Sequence, residues 1–221
     1  MKPVSPLHFY FDFISPYGYF ASLRINELAG RFDRVVEWHP MLLGVSVMKV
    51  MGLKPLLDTP LKGPYTSNDV RRYARLHGIK LTRPLGAAPM NPLTCGRVFA
   101  WAKQQHPQLA VDLARVMLRA YWEEDADFSD PSSLAKLPFP IAASQGTAGR
   151  TTIDIASGSA SDIDWVQAAQ SLEAAQLLRA EVDASLKAGV FGSPTVIVDG
   201  ELFWGIDKFE QIEHWLETGG W

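Results

Sequence analysis

The chain has 221 residues, of which 47% are hydrophobic and 20% are charged, a composition typical of a globular protein. Its formal net charge of −3 argues against a nucleic-acid-binding surface or an anionic-membrane-binding surface. A single cysteine excludes an internal disulfide framework. The sequence shows no signal peptide and no apolar run of the ~18 residues that a membrane span needs. A cytoplasmic location is therefore expected.

The first elements are predicted to form a β-α-β unit. Leu7–Phe13 alternates, with three phenylalanines on one face, which indicates a strand. Ser15 then takes the N-cap position and Pro16 the first helical position, the usual order at a helix start, and the helix should run to about Ala29. Val35–Leu43 returns as a second strand, and a right-handed crossover would make the two strands parallel.

The middle of the chain is predicted to be helical. Apolar residues at three-to-four spacing predict helices over Val70–His77, Leu93–Gln105, Leu109–Glu123 and Leu172–Leu186. The last helix is the clearest, with an apolar face of Leu172, Ala175, Leu178, Val182 and Leu186. Ile141–Ser161 is rich in Ser, Gly, Thr and Ala and is predicted to be a loop. Cys95 lies on an apolar helix face, which favours an inert buried thiol.

The end of the chain has the pattern of a hairpin followed by a helix. Thr195–Trp204 contains two β-rich runs around Asp199-Gly200, a strong hairpin signal. A helix capped by Asp207 should follow, to about Leu216. The predicted fold class is therefore α/β, with a discontinuous βαβ–ββα domain (residues 1–44 and 189–221) and an all-helical insertion domain (residues 45–188).

Two junctions could carry chemistry. Ser15-Pro16-Tyr17 is favoured as a simple cap from the local sequence, although a hydroxyl at a helix N-terminus also suits an anion or a thiolate. The loop Gly189–Thr195 could be ordinary, or a cis peptide at Ser193-Pro194 could present the Ser193 backbone to an extended ligand.

The remaining candidates are weaker when each is considered alone. Trp204–Lys208 could be a simple turn, or a second ligand-binding segment in which Asp207 binds an ammonium group. Lys49 could be an ordinary surface residue or the cation for an acidic substrate. The five histidines show no metal-binding spacing, so no metal site is expected.

Four motifs together carry a family resemblance. They are FYFDFISPYGYF, WHPMLLGVSVMKVMG, MNPL and GVFGSPTVIVDGELFWGIDKFE, and they span nearly the whole chain. The combination resembles the 2-hydroxychromene-2-carboxylate isomerases and, more broadly, the kappa-class glutathione transferases. This resemblance implies a DsbA-like thioredoxin fold, glutathione as cofactor and a homodimer.

The resemblance also assigns roles to residues. It implies that the Ser15 hydroxyl binds the glutathione sulfur in place of a redox cysteine, and that the helix beginning at Pro16 lowers the pKa of that thiol. The glutathione-binding residues that it implies are Ser15, Ser193, Pro194, Gly205, Ile206, Asp207 and Lys208, the last standing where an arginine is usual. Lys49, Leu53, Lys54 and Asn91 are assigned to the substrate site.

Three functions are compatible with this pattern. The first is a glutathione-dependent isomerase of aromatic hydrocarbon degradation, and the second is a kappa-like transferase that conjugates glutathione to an electrophile. The third is a non-catalytic thioredoxin-fold protein that binds extended peptides beside Pro194. A dithiol oxidoreductase is excluded because the chain has no CxxC motif.

Overall fold

The computed structural model describes residues 5–137 and 163–221. In chain order these residues form β1 (Leu7–Phe11), α1 (Pro16–Ser22), α2 (Ile25–Gly30), β2 (Val36–Pro40), a π-helix (Gly44–Val50), α3 (Lys62–Leu76), α4 (Leu93–Gln105), α5 (Pro107–Glu123), α6 (Trp165–Gln170), α7 (Leu172–Lys187), β3 (Thr195–Val198), β4 (Glu201–Trp204) and α8 (Phe209–Thr218). The predicted loop Ile141–Ser161 lies outside the described residues.

The strands form one sheet that joins the two ends of the chain. Its order is β2-β1-β3-β4, with β1 parallel to β2, and with β3 antiparallel to both β1 and β4. At the tip of the β3–β4 hairpin, Asp199 and Gly200 both have positive φ, at 52° and 93°. Positive φ at both central residues is the requirement of a type I′ turn, whose twist matches that of the flanking strands. The predicted parallel βαβ unit and the hairpin are therefore confirmed.

An aromatic cluster covers one face of the sheet. Phe9 and Phe11 meet Trp38 edge-on, with ring centroids 4.9 and 5.2 Å apart, and Phe99 of α4 meets Phe11 at 5.4 Å. All four rings are buried. Alternation along β1 and β2 sends Phe9, Phe11 and Trp38 to the same face, and α4 packs Phe99 against that face. The cluster fixes the end of β1 against α4, and β1 leads directly to Ser15.

The predicted helix from Pro16 to Ala29 is wrong in one respect, because it breaks after Ser22 into α1 and α2. The Ser22 hydroxyl donates to the Tyr19 carbonyl at 2.6 Å. That carbonyl is the acceptor that the next turn of an α-helix would use, so the side chain competes with the backbone ladder. The Arg24 N–H donates to the Ala21 carbonyl, three residues back, at 3.0 Å, where an α-helix would use the Phe20 carbonyl. The helix α1 therefore has seven residues and not the fourteen predicted for Pro16 to Ala29.

Helices, and no strands, occupy the described part of residues 44–188. The bounds of α4 are those predicted. The predicted apolar face of α7 is confirmed at Leu178 and Val182 and wrong at Leu172, which is 74% exposed. The buried side chains of α7 are Ala174, Leu178, Val182 and Ser185. Leu178 packs where α4 carries Gly96, which has no side chain to hold the helices apart. None of the described helices has the length and apolar character needed to cross a membrane.

Candidate functional site

Ser15 lies at the junction of β1 and α1 and is 3% exposed. Its Oγ accepts a hydrogen bond from the Gly18 N–H at 3.0 Å, so it caps α1 as predicted. The same hydroxyl donates to the Ser193 carbonyl at 3.0 Å. Capping does not require this second bond, which ties the serine to a loop from the other end of the chain.

The loop that meets Ser15 contains the predicted cis peptide bond, Ser193-Pro194. The Ser193 Oγ accepts a hydrogen bond from the Asp12 N–H at 3.0 Å, so the hydroxyl and the carbonyl of Ser193 both face the β1–α1 corner. A Cβ atom at Gly18 would come within 2.6 Å of the Ser193 Oγ. A side chain at position 18 would therefore displace the Ser193 hydroxyl from its place in the corner.

The segment after β4 lies against the same loop. The Gly205 N–H donates to the Pro194 carbonyl at 3.0 Å, and Gly205 has φ 112°, a conformation that favours glycine. The exposed Asp207 carboxylate pairs with the Lys208 ammonium group at 2.8 Å. The structure thus brings Ser15, Ser193, Pro194 and the start of the 205–208 segment together at one edge of the sheet.

The prediction that Asp207 caps the last helix is wrong. α8 begins at Phe209, with Lys208 at the N-cap position and no side-chain capping hydrogen bond. A single 3₁₀ turn, Ile206–Lys208, precedes it and carries Ile206 into the core. The Asp207 carboxylate is left in solvent, where an ammonium group of a ligand could reach it.

Asp12 is a site residue that the sequence reasoning missed. It is fully buried, and its Oδ1 and Oδ2 accept hydrogen bonds from the N–H groups of Ile14 at 3.2 Å and Leu43 at 2.7 Å. Burial outweighs these bonds and raises the pKa of the Asp12 carboxyl to about 6. The carboxylate fastens the Ser15 corner to the segment that leads into the π-helix. A lone acidic residue directly after an aromatic strand, three positions before Ser15, was the available signal.

Three of the predicted substrate residues follow Leu43 in the chain. Lys49 lies in the last turn of the π-helix, and Leu53 and Lys54 come shortly after it. All three side chains are exposed. The Asp12–Leu43 bond therefore brings the start of this segment to the Ser15 corner, while the three side chains themselves face solvent.

Asn91 and Cys95 lie at the start of α4. The Asn91 Oδ1 accepts a hydrogen bond from the Leu93 N–H at 3.1 Å, a turn that leads into the helix, and the residue is exposed. Cys95 is fully buried, and burial together with the Asp12 carboxylate raises the pKa of its thiol well above the usual value. The thiol is therefore neutral, and the prediction that it is buried is confirmed.

Comparisons with known proteins cover nearly the whole chain. The family model of the DSBA-like thioredoxin domain matches residues 6–217. The chain is 25% identical to a 2-hydroxychromene-2-carboxylate isomerase from Pseudomonas putida, over 93% of this chain and 91% of that protein. It is 23% identical to glutathione S-transferase kappa 1 from Homo sapiens, over 94% of this chain and 88% of that protein.

A solved structure of a SeMet 2-hydroxychromene-2-carboxylate isomerase superposes with a TM-score of 0.71, at 22% identity, over 96% of this chain and 95% of that chain. At this identity the likeness shows the fold. It confirms the predicted fold class, a thioredoxin-like α/β domain with a large helical insertion, while the boundaries at residues 45 and 188 stay a prediction. Since the family model matches residues 6–217, the chain belongs to the DSBA-like thioredoxin domain family, together with relatives that are isomerases and transferases.

Proposed function

We propose that the protein is a glutathione-dependent cis–trans isomerase that interconverts 2-hydroxychromene-2-carboxylate and trans-o-hydroxybenzylidenepyruvate, or a close analogue, in aromatic hydrocarbon degradation. The observation that carries the proposal is the placement of the Ser15 hydroxyl at a corner formed with Ser193 and Pro194, in a chain without a second cysteine. The isomerase from Pseudomonas putida supports the choice of reaction. The name of the kappa 1 relative supports glutathione as the thiol.

The Ser15 hydroxyl can change the acceptor of its hydrogen bond when a ligand binds. Without a ligand it donates to the Ser193 carbonyl. We propose that the cysteinyl N–H of glutathione binds the Ser193 carbonyl and that the Ser15 hydroxyl then turns to donate to the sulfur. A hydrogen bond to a thiolate is charge-assisted and lowers the pKa of the thiol. Because α1 is short, we assign this effect to the hydroxyl and not to the dipole of a long helix.

The other end of glutathione would lie along residues 205–208. The Asp207 carboxylate is exposed and is not used by α8, so it can bind the γ-glutamyl ammonium. The neighbouring Lys208 ammonium group, 2.8 Å from Asp207 in the ligand-free protein, can then bind the γ-glutamyl carboxylate. Ile206 is buried and holds the turn in place.

The reaction needs no net consumption of the thiol. The thiolate adds to the conjugated double bond of the ring-opened substrate, which forms a carbon–sulfur bond and moves the electron pair onto the carbonyl oxygen as an enolate. The former double bond is now single and rotates, and expulsion of the thiolate restores the double bond in the trans form. In this proposal Lys49, with Leu53, Lys54 and Asn91 around the substrate, binds the carboxylate and stabilises the enolate.

A second candidate is a transferase that leaves glutathione conjugated to an electrophile, and the similarity to the kappa 1 transferase favours it. The same Ser15 corner would hold the thiolate in both reactions. The two differ in whether the carbon–sulfur bond is broken again. A homodimer belongs to the main proposal, and sedimentation of the full chain tests it.

Ultraviolet spectroscopy of the chromene substrate tests the proposal, with and without glutathione, while free thiol is titrated in parallel. Glutathione-dependent conversion at constant thiol concentration is the expected result. Conversion with stoichiometric thiol loss would select the transferase. No change in either readout, despite measurable glutathione binding, would refute both enzymes and leave a peptide-binding protein.

A further inference from the structure

A second group of polar side chains lies on the sheet face opposite the aromatic cluster. His8 of β1 stands opposite Glu37 of β2 in the parallel pairing, and His39 follows Glu37 by two residues on the same face. Their potential ligand atoms all lie within 4.8 Å of one another. The spacing of histidines along the sequence predicts no metal site, but the strand register brings these three residues together.

The distances within this group match the ligands of one tetrahedral ion. The His8 Nδ1 lies 3.1 Å from the His39 Nε2 and 3.4 Å from the Glu37 Oε2, and the last two atoms are 3.8 Å apart. Zinc bonds of 2.0–2.2 Å to nitrogen and oxygen, in tetrahedral geometry, place neighbouring ligand atoms about 3.3–3.5 Å apart. Small side-chain rotations would bring all three separations to that value.

A carboxylate behind His39 orients its ring for metal binding. The His39 Nδ1 lies 2.9 Å from the Glu181 Oε2 of α7, and Glu181 is also held by Lys103 of α4 at 2.6 Å. With the proton of a neutral His39 on Nδ1, this nitrogen donates to Glu181 and the lone pair lies on Nε2, which faces His8 and Glu37. In that tautomer the Lys103 ammonium group, which can only donate, hydrogen-bonds to Glu181 and not to Nδ1. Metal-binding histidines regularly have such a carboxylate partner.

The charge and the exposure of the group also suit a divalent ion. The Lys103 ammonium group lies 3.1 Å from the His39 Nδ1, on the far side of the ring from the facing ligand atoms, and Glu181 balances its charge. The side chains of His8, Glu37 and His39 are 36%, 51% and 15% exposed. An ion can therefore enter from solvent and keep a water molecule as its fourth ligand.

We propose that His8, Glu37 and His39 bind one Zn²⁺ ion, which links β1 to β2 on the face opposite the aromatic cluster. Two imidazoles and one carboxylate are donors that zinc commonly takes in proteins. Because the ligands lie on paired strands, the backbone fixes their positions closely. This proposal does not depend on the isomerase reaction.

Calorimetric titration of the chelator-treated, tag-free chain with Zn²⁺ tests the proposal, and Co²⁺ reports the geometry through the visible bands of a tetrahedral site. The expected result is one ion per chain, a tetrahedral Co²⁺ spectrum and a higher thermal midpoint with Zn²⁺. His8→Gln and His39→Gln should each weaken binding at least tenfold. Glu181→Gln should weaken it about 10–100-fold, because His39 loses its charged partner.

His214→Gln is the matched control, because His214 is an exposed histidine 3.6 Å from Glu217 on one helix. It should bind Zn²⁺ like the parent chain. Absence of stoichiometric binding, or parent-like binding in both His8→Gln and His39→Gln, would overturn the proposal. If circular dichroism shows that the histidine variants are unfolded, Glu37→Gln decides the question, and an unchanged affinity in that variant overturns the three-ligand site.

Discussion

Replacing Ser15 with alanine removes both hydrogen bonds of the hydroxyl. The bond from the Gly18 N–H caps α1, and the bond to the Ser193 carbonyl holds the 193–194 loop. Loss of an N-cap costs about 1 kcal/mol of unfolding free energy. The buried Ser193 carbonyl also loses its donor, so the total cost should be about 2 kcal/mol.

The effect on turnover is separate from the effect on stability. If the hydroxyl donates to a glutathione thiolate, its loss removes a hydrogen bond to a charged group, about 1.5–3 kcal/mol, or roughly ten- to a hundredfold in rate at saturating glutathione. The pKa of the bound thiol should rise, which is measured as thiolate absorbance against pH. Ser15→Asn keeps a capping group without a hydroxyl in the same place, so it should lose turnover while recovering stability. Ser15→Thr should retain part of the activity.

Ser171 offers a matched control for the cap. It is the N-cap of α7, and its Oγ accepts a hydrogen bond from the Ala174 N–H at 3.0 Å, the same geometry as at Ser15. Ser171→Ala should lower the unfolding free energy by about 1 kcal/mol and leave turnover unchanged. If Ser15→Asn keeps full turnover and an unshifted thiol pKa, Ser15 is a cap and the catalytic role is wrong.

Three further predictions concern the surroundings of the corner. Asp12→Asn removes a group whose pKa is about 6 in the folded chain and about 3.8 unfolded, so its favourable contribution is complete below about pH 4 and is lost as the pH rises through 6. In denaturant titrations the variant should therefore gain up to about 3 kcal/mol on the parent between pH 4 and pH 8; a difference independent of pH would contradict the burial argument. Asp207→Asn should weaken glutathione binding in calorimetry more than it slows turnover at saturation, and an unchanged affinity would remove Asp207 from the site. Cys95→Ser should keep near-normal turnover because the thiol is buried and neutral, whereas loss of turnover with the fold and glutathione affinity intact would show that the thiol takes part in the chemistry.

Short-range chemistry accounts for what could be predicted from the sequence. The cap at Ser15 followed by Pro16, the hairpin turn at Asp199-Gly200 and the bounds of α4 all depend on neighbours within a few residues. The period of the hydrophobic residues and the positions of turn-forming residues indicate these local preferences for helix, strand or turn. The order of the predicted elements, βαβ at the start and ββα at the end with helices between them, then predicted the fold class.

The prediction was wrong about the end of one helix and about the buried face of another. The helix α1 ends at Ser22, whose hydroxyl bonds to the Tyr19 carbonyl, although the apolar period continues to Ala29. The buried face of α7 is set by its contact with α4 and not by the residues of α7 alone. Periodicity shows that a helix has an apolar face, but several neighbouring faces of α7 carry apolar residues.

Only the tertiary structure placed Asp12 between two backbone N–H groups and brought His8 to His39. Both arrangements depend on the parallel register of β1 and β2, which sets His8 opposite Glu37 and holds the Leu43 N–H beside Asp12. A shift of one residue in a strand sends every side chain to the other face, so these contacts exist in one register only. That register is decided by the packing of Phe9, Phe11 and Trp38 across the sheet, a long-range interaction that no local pattern in either strand contains.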